Sequence, residues 1–247
     1  MKRVLNAFAM CHSMFCSIPS PFHIWDESAR PLMLVFLPLI GAEIGLLWAG
    51  AALLCRLLAL PQLVTGFILC AFPYLLSGFI HLDGFLDVTD AVHSYRDLPE
   101  RRRILKDSRV GAFAVIGCVL LLLGGFAAHA SADVSPIILI FIPIVSRCCS
   151  ALAVMLLRPM SESQYAGAFN ANVSRIQPII VGAMLAVSVL LGFLLCGKLG
   201  FSLLGGIAGA LLALWQAVRS LEGMNGDISG YALTLSELAA AFVLVLM

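Results

Sequence analysis

Three acids in one short stretch, Gly78-Phe-Ile-His-Leu-Asp-Gly-Phe-Leu-Asp-Val-Thr-Asp90, are the residues best placed to do chemistry. Asp83, Asp87 and Asp90 fall at i, i+4 and i+7, which on a helix stacks all three on one face. Carboxylates packed within two turns repel one another, and beside an apolar phase each is costly unless a positive charge compensates it. A divalent cation is the simplest compensation. The donors are all oxygen, with no cysteine at matching spacing, so the expected ion is Mg2+ rather than zinc or copper. The plain alternative is a solvated helix end. His81, two residues before Asp83, points elsewhere on a helix and reads first as a packed or hydrogen-bonded histidine, then as a ligand.

The elements that must position these acids are membrane helices. The chain has 247 residues, of which 61% are hydrophobic and 12% charged, and its mean hydropathy is +1.02. Those values lie outside the range of soluble domains. The expected fold is all-α, a single polytopic membrane bundle over 1–247. Stretches of about 20 apolar residues fall near 31–55, 61–82, 111–130, 135–157, 176–197, 199–219 and 230–247, giving six or seven spans. The fifth and sixth are parted by little more than Cys196-Gly-Lys-Leu-Gly200, which implies a tight helical hairpin. The N-terminal segment, interrupted by Asn6, His12 and Ser13 and followed by Pro19 and Pro21, reads as a short interfacial helix rather than a cleaved signal.

A net charge of +1 with basic residues spread along membrane flanks excludes a nucleic-acid face. Their placement orients the chain instead. If the loop 90–110 is cytoplasmic, Lys2, Arg3, Arg30, Arg96, Arg101, Arg102, Arg103, Lys106, Arg109, Arg158, Arg175 and Arg219 share its side. Only Arg56 and Lys198 lie opposite, and Arg147 falls inside a span. The positive-inside rule then puts the aspartates at the cytoplasmic face. Of the eight cysteines, six lie in apolar runs, Cys11 and Cys16 lie near the expected cytoplasmic end, and none forms CxxC. The expectation is no structural disulfide and no zinc site.

Other residues extend the candidate site. Asp97-Leu-Pro-Glu is a helix start, and Arg101 to Lys106 then forms a short cationic turn suited to anionic headgroups. Arg109 returns to the level of the aspartates, where a guanidinium can grip a phosphate bidentately. Arg147, buried in the fourth span, needs an anionic partner: the aspartates or a bound phosphate. The polar loop with Ser161, Glu162, Ser163, Asn170, Asn172 and Ser174 either recognises substrate or is simply solvated. Asp227 sits in a glycine-rich turn, and Glu237, within the last span, must face the bundle interior or a polar cavity.

His81-Leu-Asp-Gly-Phe-Leu-Asp-Val-Thr-Asp90, followed by Arg101-Arg-Arg-Ile-Leu-Lys-Asp-Ser-Arg109-Val-Gly111, closely resembles the cobalamin synthase (adenosylcobinamide-GDP ribazoletransferase) family. Weaker similarities run along the chain: Phe36-Leu-Pro-Leu-Ile-Gly41, Ser146-Arg147, Gly226-Asp227 and Ser236-Glu-Leu238. The family usually has glycine after the third aspartate, where this chain has Ala91. The resemblance implies transfer of adenosylcobinamide phosphate from adenosylcobinamide-GDP to α-ribazole or its 5′-phosphate, with attack by the ribose 5′ oxygen on the cobinamide-linked phosphorus and loss of GMP. On that reading Asp83, Asp87 and Asp90 hold one or two Mg2+ ions. His81, Lys106, Ser108, Arg109 and Arg147 meet substrate, and Asp107 or Asp227 completes the metal shell or takes the 5′-hydroxyl proton. Glu237 is a reserve ligand or a partner for Arg147. The implied setting is the bacterial inner membrane, with the lipid bilayer and a second copy of the chain as further candidate partners. CDP-alcohol phosphotransferases carry DGxxAR, absent here; prenyltransferases need two Asp-rich motifs; a transporter or corrinoid-binding subunit is the non-enzymatic alternative.

Overall fold

A computed structural model describes residues 2–20, 24–132, 135–160 and 173–247. Among these the chain forms ten α-helices with two short 3-10 turns. The first is α1 (Lys2–Phe15), which buries Ala7, Met10, Cys11 and Phe15 and leaves Val4, Leu5 and Phe8 exposed. It is followed by α2 (Arg30–Leu57), α3 (Gln62–Leu76), α4 (Ile80–His93), α5 (Leu98–Ile104), α6 (Ala112–Ser131) and α7 (Pro136–Leu156). The chain closes with α8 (Ile176–Cys196), α9 (Phe201–Leu221) and α10 (Gly226–Val245). Most of the polar loop after α7, from Ser161 to Asn172, lies outside the described residues; Ser174 alone of its named members is within them.

Long apolar helices must find partners through close packing rather than water exclusion, so small residues decide where backbones meet. Gly41 and Gly45, one turn apart on α2, lie directly against the carbonyls of Pro143 and Ile140 on α7, and a side chain at either would collide with that backbone. Gly205 and Gly209 make room between α9 and α10 for the side chains of Val243 and Ala239. These seams, together with the packing of α10 across α4, make up the heart of the bundle.

The candidate spans are Glu27–Leu57, Ala112–Ser131, Pro136–Leu156, Ile176–Leu221 and Gly226–Val245, with α3 and α4 forming a sixth if counted as one bent pair. The all-α polytopic expectation therefore holds. Two details differ from it. The 46-residue stretch Ile176–Leu221 divides at Gly197, whose φ of +58° suits glycine. Its halves are not closely paired: α8 leans on α7, α9 on α10, and they meet chiefly near the turn, where Phe193 and Phe201 pack edge to face.

The second difference matters more. The expected span 61–82 is not continuous. Gly78 (φ +61°) and Phe79 (φ +63°) are both left-handed, and α4 leaves α3 at 93°. Hydropathy continues unbroken across this turn, so apolar run length alone does not reveal it.

Candidate functional site: an acid-lined cavity between α4 and α10

The break at Gly78 and Phe79 starts a fresh helix whose first turn carries Asp83. Asp83, Asp87 and Asp90 all fall within α4, so its 3.6-residue period places them along one face. Ala91 is fully buried and the helix runs on to His93, so the family's usual glycine is not needed as a break after Asp90.

Across from this face stands the start of α10. Asn225 caps that helix, its Oδ1 accepting from the Ile228 amide at 2.9 Å, while its Nδ2 donates to Asp227 Oδ2 at 2.7 Å. One side chain thus fixes the helix end and aims the acid. Gly84 lets the two helices meet: a Cβ there would lie 2.8 Å from the Asp227 carbonyl oxygen. The seam is held further by Thr234 Oγ1 donating to the His81 carbonyl at 3.2 Å and by Phe85 stacked on Tyr231 at 5.5 Å.

The result is a cavity of ≈ 310 Å³ with Asp83, Asp227, Arg102, Lys106 and Asn225 among its polar walls, and Met14, Phe15, Leu37, Ile80 and Met160 on its apolar side. His81 also faces it, buried and stacked on Phe15 with centroids 5.8 Å apart; its Nε2 has no hydrogen-bond partner. Asp87 feels the charges of Asp227, Asp83 and Asp90.

Asp90 turns toward a neighbouring depression of ≈ 390 Å³ that Asp107 and Arg109 also line. Its Oδ1 accepts from the Ala114 amide at 3.4 Å, at the N-terminus of α6, and Gly111 lies hard against the carboxylate. Arg109 is gripped bidentately by Asp107 at 3.0 and 2.8 Å. The Arg109 guanidinium and backbone amide hold the Asp107 carboxyl well below its usual range, at about 2. Ser108 is exposed beside them.

Of the sequence candidates, then, His81, Asp83, Lys106 and Asp227 share one cavity and Asp90, Asp107 and Arg109 the next, with Asp87 electrostatically linked to both. Arg147 and Glu237 belong to neither. They pair with each other, Arg147 Nη1 to Glu237 Oε1 at 2.8 Å, both buried, with Ser146 Oγ donating to the same oxygen at 2.9 Å. Glu237, and not an aspartate of α4, is the anionic partner that Arg147 required.

Sequence reasoning passed over Asn225 and Arg102. The first was visible in principle as an N-cap residue before Gly-Asp. Arg102 had been grouped with headgroup-binding cations, but its Nε and Nη2 donate to the carbonyls of Leu221 and Glu222 at 3.1 Å each, and Arg101 Nη1 reaches the Ser220 carbonyl at 3.0 Å. Cationic side chains at a helix C-terminus satisfy its free carbonyls and its dipole.

Carboxylates dominate the acidic face, with no cysteine and one imidazole, His81, beside them, which fits a hard cation such as Mg2+. A single ion bound by all three α4 aspartates does not fit. Seven residues of helix separate Asp83 from Asp90 by roughly 10 Å, and among the described residues no three carboxylates here bring oxygens within 4.8 Å of one another.

Fold and cavity together define a multi-pass membrane protein with an acid- and cation-lined chamber where α4, α5 and α10 converge. The profile of the cobalamin-5-phosphate synthase family matches residues 7–245. Among curated proteins, an adenosylcobinamide-GDP ribazoletransferase of Clostridium perfringens is 36% identical over 99% of both chains. One of Clostridium botulinum is 32% identical over 98% of both, and one of Lachnoclostridium phytofermentans is 33% identical over 98% of this chain and 94% of its own. No solved structure matches. The chain belongs to the cobalamin-5-phosphate synthase family, and is thus an enzyme, a transferase of the final assembly step of cobalamin biosynthesis.

Proposed function

We propose that the enzyme joins adenosylcobinamide-GDP to α-ribazole or α-ribazole 5′-phosphate, releasing GMP, with Mg2+ held at the α4–α10 cavity. The observation that carries this reading is the approach of Asp227 to Asp83 across Gly84, with Lys106 and Arg102 beside them. Phosphoryl transfer asks a protein mainly for charge neutralisation and positioning, and the cavity offers both signs of charge within one wall.

Asp83 and Asp227 face the same cavity and would hold the ion, with the Asp87 carboxylate close enough to add its charge. Bound there, Mg2+ supplies neutralisation of the diphosphate and of the departing GMP. Lys106, on the same wall, meets phosphate as a point charge. Asp227, aimed by Asn225, is better placed than Asp107 to complete the shell or accept the 5′-hydroxyl proton, because Asp107 is engaged by Arg109 on the far side. A cavity of ≈ 310 Å³ matches the low end of small-ligand pockets. It admits the diphosphate and reacting ribose but not a whole corrinoid, so the macrocycle stays outside against the apolar rim. Charge asymmetry supports a cytoplasmic-facing site in the inner membrane.

The test is to incubate detergent-purified protein with adenosylcobinamide-GDP, α-ribazole and Mg2+, following cobalamin by mass spectrometry and GMP by chromatography. Equimolar appearance of both is expected. Consumption of neither substrate by well-folded protein overturns the proposal.

A further inference from the structure

A second cluster of ligating side chains lies at the seam of α1 and α2, where the reaction makes no use of it. The Cys16 amide donates to the His12 carbonyl at 2.9 Å, so the helical path of α1 carries through Cys16 and stacks the two side chains one turn apart. Glu43 of α2 meets them: His12 Nε2 is 3.1 Å from Glu43 Oε1. One donor atom from each of His12, Cys16 and Glu43 lies within 4.8 Å of the other two.

Geometry and charge separate this cluster from an incidental hydrogen bond. For bonds of about 2.0 Å around a tetrahedral ion, neighbouring N and O ligands sit roughly 3.3 Å apart, close to the spacing already present. Cys16 is 7% exposed, and Glu43 already acts on it electrostatically. A thiolate and a carboxylate together cancel a dication, and the imidazole is neutral, so the loaded site carries no net charge into an apolar setting. Arg147, whose charge also reaches Cys16, is paired with Glu237. His12 also lines a cavity of ≈ 430 Å³ beside α1.

We propose that His12 Nε2, Cys16 Sγ and the Glu43 carboxylate bind a zinc-class divalent ion, the thiol proton leaving to solvent as the metal–sulfur bond forms. Mixed nitrogen, sulfur and oxygen donors select such an ion over Mg2+. The expectation of no zinc site rested on the missing CxxC pattern; two donors at helical spacing and a third on the next helix fall outside that pattern. The ion clamps α1 to α2 one residue from Phe15, which stacks on His81 and forms part of the apolar wall of the α4–α10 cavity.

Co2+ is the probe, because thiolate ligation gives it an intense near-ultraviolet charge-transfer band that all-oxygen sites lack. Titration of the full-length protein in detergent should show that band saturating at one Co2+ per chain and bleaching on addition of Zn2+. Asp83→Asn should retain it, Cys16→Ser should lose it, and His12→Gln and Glu43→Gln should weaken Co2+ binding at least about tenfold. Absence of the band in the wild-type protein, its survival in Cys16→Ser, or unchanged affinity in His12→Gln overturns the proposal. Should Cys16→Ser not purify as a single species, the wild-type titration and His12→Gln decide the question.

Discussion

At the scale of single residues, the buried pair of Arg147 and Glu237 and the acids of α4, of which Asp83 is exposed and Asp87 and Asp90 are half-buried, answer to opposite pressures. Removing one member of a desolvated ion pair leaves an uncompensated charge and typically costs about 3–5 kcal/mol. Arg147→Ala should therefore lower the thermal unfolding midpoint in detergent markedly, while Arg147→Met combined with Glu237→Leu should recover much of the loss. Asp83→Asn and Asp227→Asn should behave in reverse, with unfolding close to wild type but GMP release down on the order of a hundredfold or more. Near wild-type turnover in Asp83→Asn would remove it from the site. The trio of α4 was legible because its spacing alone specifies a shared face. Asp227 was visible as an acid in a turn, but its approach to Asp83 depends on what Gly84 lacks, and no local pattern reports an absence of side chain meeting a distant helix.

At the scale of elements, α5 is tied to the end of α9 by Arg101 and Arg102 rather than left free for lipid. Arg102→Ala should raise KM for the nucleotide substrate several-fold in plain detergent, where no anionic lipid is present; a defect seen only with anionic lipid would favour the headgroup role. Gly84→Val should drive α4 from α10 and abolish activity even though every acid remains, checked by GMP release from protein that still elutes as a single species. Most helices were placed to within a residue or two, since 111–130 became Ala112–Ser131 and 135–157 became Pro136–Leu156. The failure at 61–82 has a physical cause: Ser77, Gly78 and Phe79 sit within apolar surroundings, and a hydropathy window averages over backbone angles it cannot see.

For the molecule as a whole, composition sufficed for the class and the paired motifs for the family, whereas the split of the acids between two depressions required coordinates. Chelation with excess EDTA should stop product formation and Mg2+ should restore it; unchanged turnover in EDTA would dismiss the metal. The right-angle departure of α4 from α3 has a further consequence. If α3 rises through the bilayer, α4 runs along its surface, and its carboxylates form a shelf parallel to the lipid plane instead of a shaft sunk into it. A bulky amphiphile drifting along that boundary can present its diphosphate broadside and depart the same way, never threading a pore.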